Sequence, residues 1–150
     1  MPSASTEFMY SLLTMTLVGI TLTFSFTSYV DLLMQVSEVN RLRAILNQVA
    51  AEATESLAAL TEDNVTLIVV VRLPLKIGDR DYWIRFDNDS NKAWVEGSFG
   101  RESRTGEQEY RVYLPKKVYA SGTFEGGYEL AQLNCSLNGS VPQLILSRKE

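Results

Sequence analysis

Histidine is absent from the chain and Cys135 is the only cysteine. Those two counts exclude an intramolecular disulfide, a Ser-His or Cys-His catalytic pair and a zinc site built from Cys and His. The single thiol reads first as a small buried hydrophobe, with a free thiol or an intermolecular bridge as the other readings. Charge is missing from an entire segment: from Phe8 to Val30 there is no Asp, Glu, Lys or Arg in 23 residues. Helix breakers are scarce over a longer stretch, because no proline lies between Pro2 and Pro74 and Gly19 is the only glycine before Gly78. A basic cluster is lacking too. Fourteen Lys and Arg stand against 18 Asp and Glu, a net charge of −4, and the cations are scattered, so no nucleic-acid partner is expected. No cofactor motif is present.

What remains divides the 150 residues into three parts, expected at 1-36, 37-62 and 63-150. The uncharged run is long enough to cross a hydrocarbon core of about 30 Å at 1.5 Å per residue. No basic residue precedes it, unlike a cleaved secretory signal, so it reads as an uncleaved anchor. With nothing to interrupt it, the helix is expected to run from about Thr6 to Leu60. Beyond an anchor of this kind about ninety residues are left, enough for one small core.

The apolar run is crowded with hydroxyls: Ser11, Thr14, Thr16, Thr21, Thr23, Ser25, Thr27 and Ser28. Small polar residues favour close packing of membrane helices, whereas hydroxyls that bond back to their own helix would merely be tolerated. Steps of three and four from Ser11 reach Thr14, Val18, Thr21, Ser25, Ser28, Leu32, Gln35, Val39, Leu42, Leu46, Val49, Ala53, Ser56 and Leu60. This is one heptad-like seam in register across the two helical parts. It suits helix-helix assembly, and the stem's apolar face equally suits packing on the chain's own outer domain. Arg41 and Arg43 follow the span, so the positive-inside rule alone would place the stem in the cytoplasm. Glu7 favours the helix N-terminus by its charge; in an assembly it would pair with a neighbour's N-terminal amine.

Past Asn64 the pattern changes to β-branched and aromatic runs broken by Gly, Pro, Asn and Asp. Strands are expected at Val65 to Leu73, Tyr82 to Phe86, Ala93 to Glu96, Tyr110 to Leu114, Val118 to Ala120, Tyr128 to Leu133 and Gln143 to Ser147. Tyr82-Trp83-Ile84-Arg85-Phe86 and Tyr110-Arg111-Val112-Tyr113-Leu114 alternate, which buries one face and wets the other. The expected class is α+β: a long N-terminal helix followed by a small antiparallel β-sandwich-like domain. Turns are expected at Gly78-Asp79-Arg80, Asn88-Asp89-Ser90-Asn91 and Gly126-Gly127, with a longer loop from Gly100 to Glu109.

Four of the seven asparagines head glycosylation sequons, at Asn64, Asn88, Asn134 and Asn138. All lie in the outer domain, and their sidedness outweighs the two arginines: the domain is expected outside the cell. The run from Asp87 to Asn91 has oxygen ligands on alternate residues, but Lys92 stands where a calcium loop needs glycine, so it reads as a hairpin turn and no metal is expected. Asp79 with Asp81, and Glu107 with Glu109, flank turns and read as solvated edges rather than catalytic pairs. No catalytic residue is expected.

The apolar helix with Glu7 near its start, the unbroken stem to Leu60 and the sequon-bearing β domain together resemble the type IV pilin-like proteins, the archaeal branch of pilins, archaellins and archaellum accessory proteins above all. The resemblance implies N-terminal helices packed in a filament core, glycosylated β domains outside, and a homo-oligomer that passes through the membrane before assembly. The short basic leader of pilins is not found ahead of Phe8. The function expected is a structural, non-enzymatic filament subunit. The alternative is a single-pass adaptor whose β domain binds the surface layer or another envelope protein.

Overall fold

The computed structural model describes residues 4–60, 65–100, 109–115, 117–138 and 141–149. It is α+β: one long helix, then eight strands in two sheets. The helix α1 spans Ala4–Ala59, as the absence of proline allows. Two compact units divide at its middle, Met1–Ser37 and Glu38–Glu150.

In the first unit α1 buries none of its residues, and every residue from 4 to 29 is exposed. In the second unit the same helix buries Leu42, Ile45, Leu46, Val49, Ala50, Ala53, Ser56 and Leu57. Their spacing of three and four makes one broad stripe, the mark of a helix lying on a core.

The strands are β1 (Thr66–Arg72), β2 (Tyr82–Asn88), β3 (Ala93–Phe99), β4 (Tyr110–Tyr113), β5 (Tyr119–Ser121), β6 (Thr123–Glu125), β7 (Leu130–Asn138) and β8 (Val141–Arg148). One sheet has the order β1-β7-β8-β5, the other β4-β3-β2-β6. All pairs are antiparallel except β5 with β8. That parallel pair departs from the antiparallel expectation. It arises because β5 and β6 are nearly continuous chain that leaves one sheet and joins the other. Gly122 stands between them at φ 108°, and a Cβ there would strike the Leu146 carbonyl. Only glycine fits so close a backbone approach. β6 has no counterpart among the expected strands; three residues between glycines carry too short a pattern to read.

The stem and both sheets share one cluster of buried residues that includes Leu46, Val49, Ile84, Val95, Leu133 and Leu144. Gly97 lets the stem approach β3: a Cβ there would lie 3.0 Å from Leu46 Cδ2 and 2.7 Å from the Trp83 carbonyl. On the other sheet Cys135 of β7 is fully buried beside Ser56 of α1, and burial pushes its thiol pKa up. Cys135 is thus a core residue. Tyr82 is buried as well; its hydroxyl donates to the Pro74 carbonyl at 2.5 Å, and burial pushes its pKa up to about 12.

The expected turns at residues 78–80 and 126–127 are present, the first closed by paired backbone bonds between Ile77 and Arg80. The β2–β3 hairpin turns over residues 89–92. There Asp89 Oδ1 accepts the backbone N–H of Asn91 and of Lys92, both at 2.7 Å, and these bonds hold its pKa below the ordinary value. A carboxylate so engaged is a turn residue. Residues 101–108 of the expected long loop, with Glu107, lie outside the described residues.

Candidate functional site

Three features bear on function: the uncharged helix, the sequons, and a charged cluster that the sequence did not announce.

The helix comes first. Thr14, Thr16, Thr21, Thr23, Thr27 and Ser28 each donate a hydroxyl hydrogen to the carbonyl four residues earlier, at 2.7–3.0 Å. An unbonded hydroxyl in an apolar medium costs about 2 kcal/mol or more, so these internal bonds let those six hydroxyls be covered by lipid or protein without being orphaned. Seam positions Thr14, Thr21 and Ser28 therefore present methyl or methylene groups with satisfied hydroxyls. Ser11, Val18, Ser25 and Leu32 are exposed along with them. Glu7 is exposed in the first turn of α1.

The seam does not continue as one surface. Leu42, Leu46 and Val49 are buried within their own unit, and Val39 packs partly against the same core. Of the two partners the stem pattern allowed, the chain's own β strands took these positions. The physical reason is solvent: an apolar stripe in water is covered by whatever the chain already holds nearby, at no cost in association entropy.

The sequons divide. Asn64 lies outside the described residues, as does the side chain of Asn138, which ends β7. Asn88 ends β2 half-buried; its Oδ1 accepts the backbone N–H of Ala120 at 3.2 Å, satisfying a donor of β5. Asn134 sits in the middle of β7, between β1 and β8.

The cluster missed by sequence reasoning centres on Glu96. Its side chain is 0% exposed, on β3 between Arg85 of β2 and Arg111 of β4. Arg85 donates from Nε at 2.8 Å and also from Nη2; Arg111 Nε lies at 2.8 Å and Trp94 Nε1 at 2.9 Å. Burial pushes the Glu96 carboxyl up, but the hydrogen bonds from Arg85 and Trp94 and the charges of both arginines outweigh it and hold its pKa below the usual range. The Glu96 charge in turn raises Arg111. Aromatic rings complete the face: Trp94 and Tyr113 meet edge to face at 6.1 Å, Arg111 lies 5.3 Å over Trp94, and Lys92 5.4 Å over Tyr113. Both carboxylate oxygens are spent on donors, so Glu96 ties three strands in register instead of moving protons. Alternation marks Trp94 and Glu96 as sharing a face, but not which cations stand opposite.

Among the described residues no group of three or more His, Cys, Asp or Glu could hold a metal ion. The helix α1 is long and apolar enough to cross a membrane. No protein-family model matches the chain, and no curated protein or solved structure matches it.

Proposed function

We propose that the chain is a structural, non-enzymatic subunit of an extracellular type IV pilus-like or archaellum-like filament, its two sheets forming a small sandwich that faces outward and carries glycan. One observation carries the reading. Within a single helix, residues 38–59 bury an apolar stripe in their own unit, while residues 8–29 carry no charge on any side, have large apolar side chains on most sides, and are exposed at every position. A helix of the second kind is stable only when lipid or other helices surround it. The self-bonded hydroxyls and the small seam from Ser11 to Ser28 suit close helix neighbours better than lipid alone.

The fate of the stem favours a second reading. With Leu42, Leu46 and Val49 already covered, the available seam is shorter than the pattern suggests, and a short seam also serves a single-pass anchor whose β domain binds the surface layer or another envelope protein. Electron microscopy of sheared surface material separates the two. Fibres containing this chain are expected; its recovery only in washed membranes would replace the filament with the adaptor.

A further inference from the structure

The outer faces of the two sheets differ in charge. On the β4-β3-β2-β6 sheet the outer residues include Arg85, Glu96 and Arg111 in one cross-strand row. On β1, β7 and β8 the residues that alternate with buried Val71, Leu133 and Leu144 form uncharged rows up to the terminal Arg72. Ile68 is opposite Asn134, which is opposite Ile145; Val70 is opposite Gln132, which is opposite Ser147. Ile68 is 57% exposed, and Val70 and Ile145 are 41% exposed. β1 is also an edge strand whose only charge is the terminal Arg72. An exposed, β-branched, uncharged edge pairs readily with other chains unless something covers it.

At the centre of this face stands a sequon, Asn134-Cys135-Ser136. Asn134 lies between the two isoleucines, and Ser136, two residues on, belongs to the same face. Gln132 Nε2 donates to Asn134 Oδ1 at 2.8 Å, a bond that leaves out Nδ2, the atom that carries sugar. At Asn88, by contrast, Oδ1 is taken by Ala120 and Nδ2 donates to the Asp89 carbonyl at 3.4 Å.

We propose that Asn134 carries an N-linked glycan whose first sugars lie over Ile68 and Ile145 and shield the uncharged face. The inference rests on the outward placement of the β domain given above. The donor is a saccharide linked to a lipid phosphate. Nδ2 bonds to the anomeric carbon, the bond from that carbon to the phosphate oxygen breaks, the lipid phosphate leaves with the electron pair, and Nδ2 releases one proton. Because β7 is paired on both edges, by β1 and β8, transfer precedes closure of those ladders. Folding then brings the isoleucines to either side of the sugar.

The test is peptide mass spectrometry and sizing of the full-length chain from its own cells, beside Asn134→Gln, Ser136→Ala and Ser136→Thr. A saccharide mass is expected on the Asn134 peptide of the unaltered chain and of Ser136→Thr, with complete loss in the other two. Those two are expected to shift to larger species in detergent. Sugar on Asn134 with no such shift would overturn the shielding. A bare Asn134 in a chain glycosylated at another sequon would overturn the site and leave the outward placement standing, whereas no sugar on any sequon would remove the support for both. Disulfide cross-linking of Ile68→Cys to a second copy in the unaltered-sequon chain would show this face to be an interface between copies, and would overturn the proposal as well.

Discussion

The two parts of α1 share one continuous backbone and similar apolar content, yet only one has its neighbours inside the chain. In residues 38–59 the large apolar side chains fall on a stripe and are buried or half-buried; in residues 8–29 they lie on most sides of the helix and are exposed. The difference teaches that pattern, rather than hydrophobicity, states where a helix finds its partners. A stripe is satisfied by a single covering surface, whereas an apolar circumference needs a surrounding medium.

The strongest way to break this contrast is a paired truncation. Leu46→Ala is expected to cost about 4 kcal/mol of second-unit stability, because its side chain is fully buried against β3. Leu17→Ala, at an exposed site of the first part, is expected to stay within about 0.5 kcal/mol. Urea unfolding of both in detergent reads the difference; equal losses would abolish the division.

Next in size is Glu96→Gln, expected to cost about 2 kcal/mol near neutral pH, since two part-exposed arginines then hydrogen-bond a neutral amide in place of a carboxylate. The sign with pH follows from a folded pKa below the unfolded one. The Glu96 contribution is fully present above the ordinary carboxylate value of about 4.3 and is lost as pH falls through the lower folded value. Unfolding midpoints measured from pH 6 downward should therefore fall for the unaltered chain and converge with those of Glu96→Gln. A constant gap through that window would show that the carboxylate charge is not what the arginines hold.

Gly97→Ala sharpens the stem side of the contrast. The added methyl meets Leu46 and the Trp83 carbonyl, and a cost of about 1–3 kcal/mol is expected in the same unfolding assay. The smallest effect on folding belongs to Thr14→Leu with Thr21→Leu: second-unit stability should change by less than about 0.5 kcal/mol, and, on the proposed filament function, membrane insertion should persist while assembly is lost. Undiminished filaments from that double variant would dissociate the seam from assembly.

Much of the architecture was legible locally. The helix was expected from about Thr6 to Leu60 and spans Ala4–Ala59. The alternation in Tyr82-Trp83-Ile84-Arg85-Phe86 placed Arg85 on the opposite face from buried Tyr82, Ile84 and Phe86. Trp83 shares the face of Arg85 but is buried, which alternation alone did not foresee. β6 was missed because its partner, β2, precedes it by some forty residues and its own three residues have no readable period. The same limit hid Glu96: its residue type and face could be read, but Arg85 and Arg111 lie on two other strands, and their register is not written in the residues around it.

By itself, then, the sequence separated an uncharged helix segment from a striped one and set the alternation of most strand faces, Trp83 and Glu96 being buried where alternation reads as wet, because periodicity records how apolar side chains are distributed around an element. Tertiary structure decided who the neighbours are. It gave Leu42, Leu46 and Val49 to the chain's own sheets, set Glu96 between two guanidinium groups, and placed Asn134 between two exposed isoleucines. Each of these outcomes depends on contacts between residues far apart in the chain, where the partner is chosen by register and packing after the local pattern has already been satisfied.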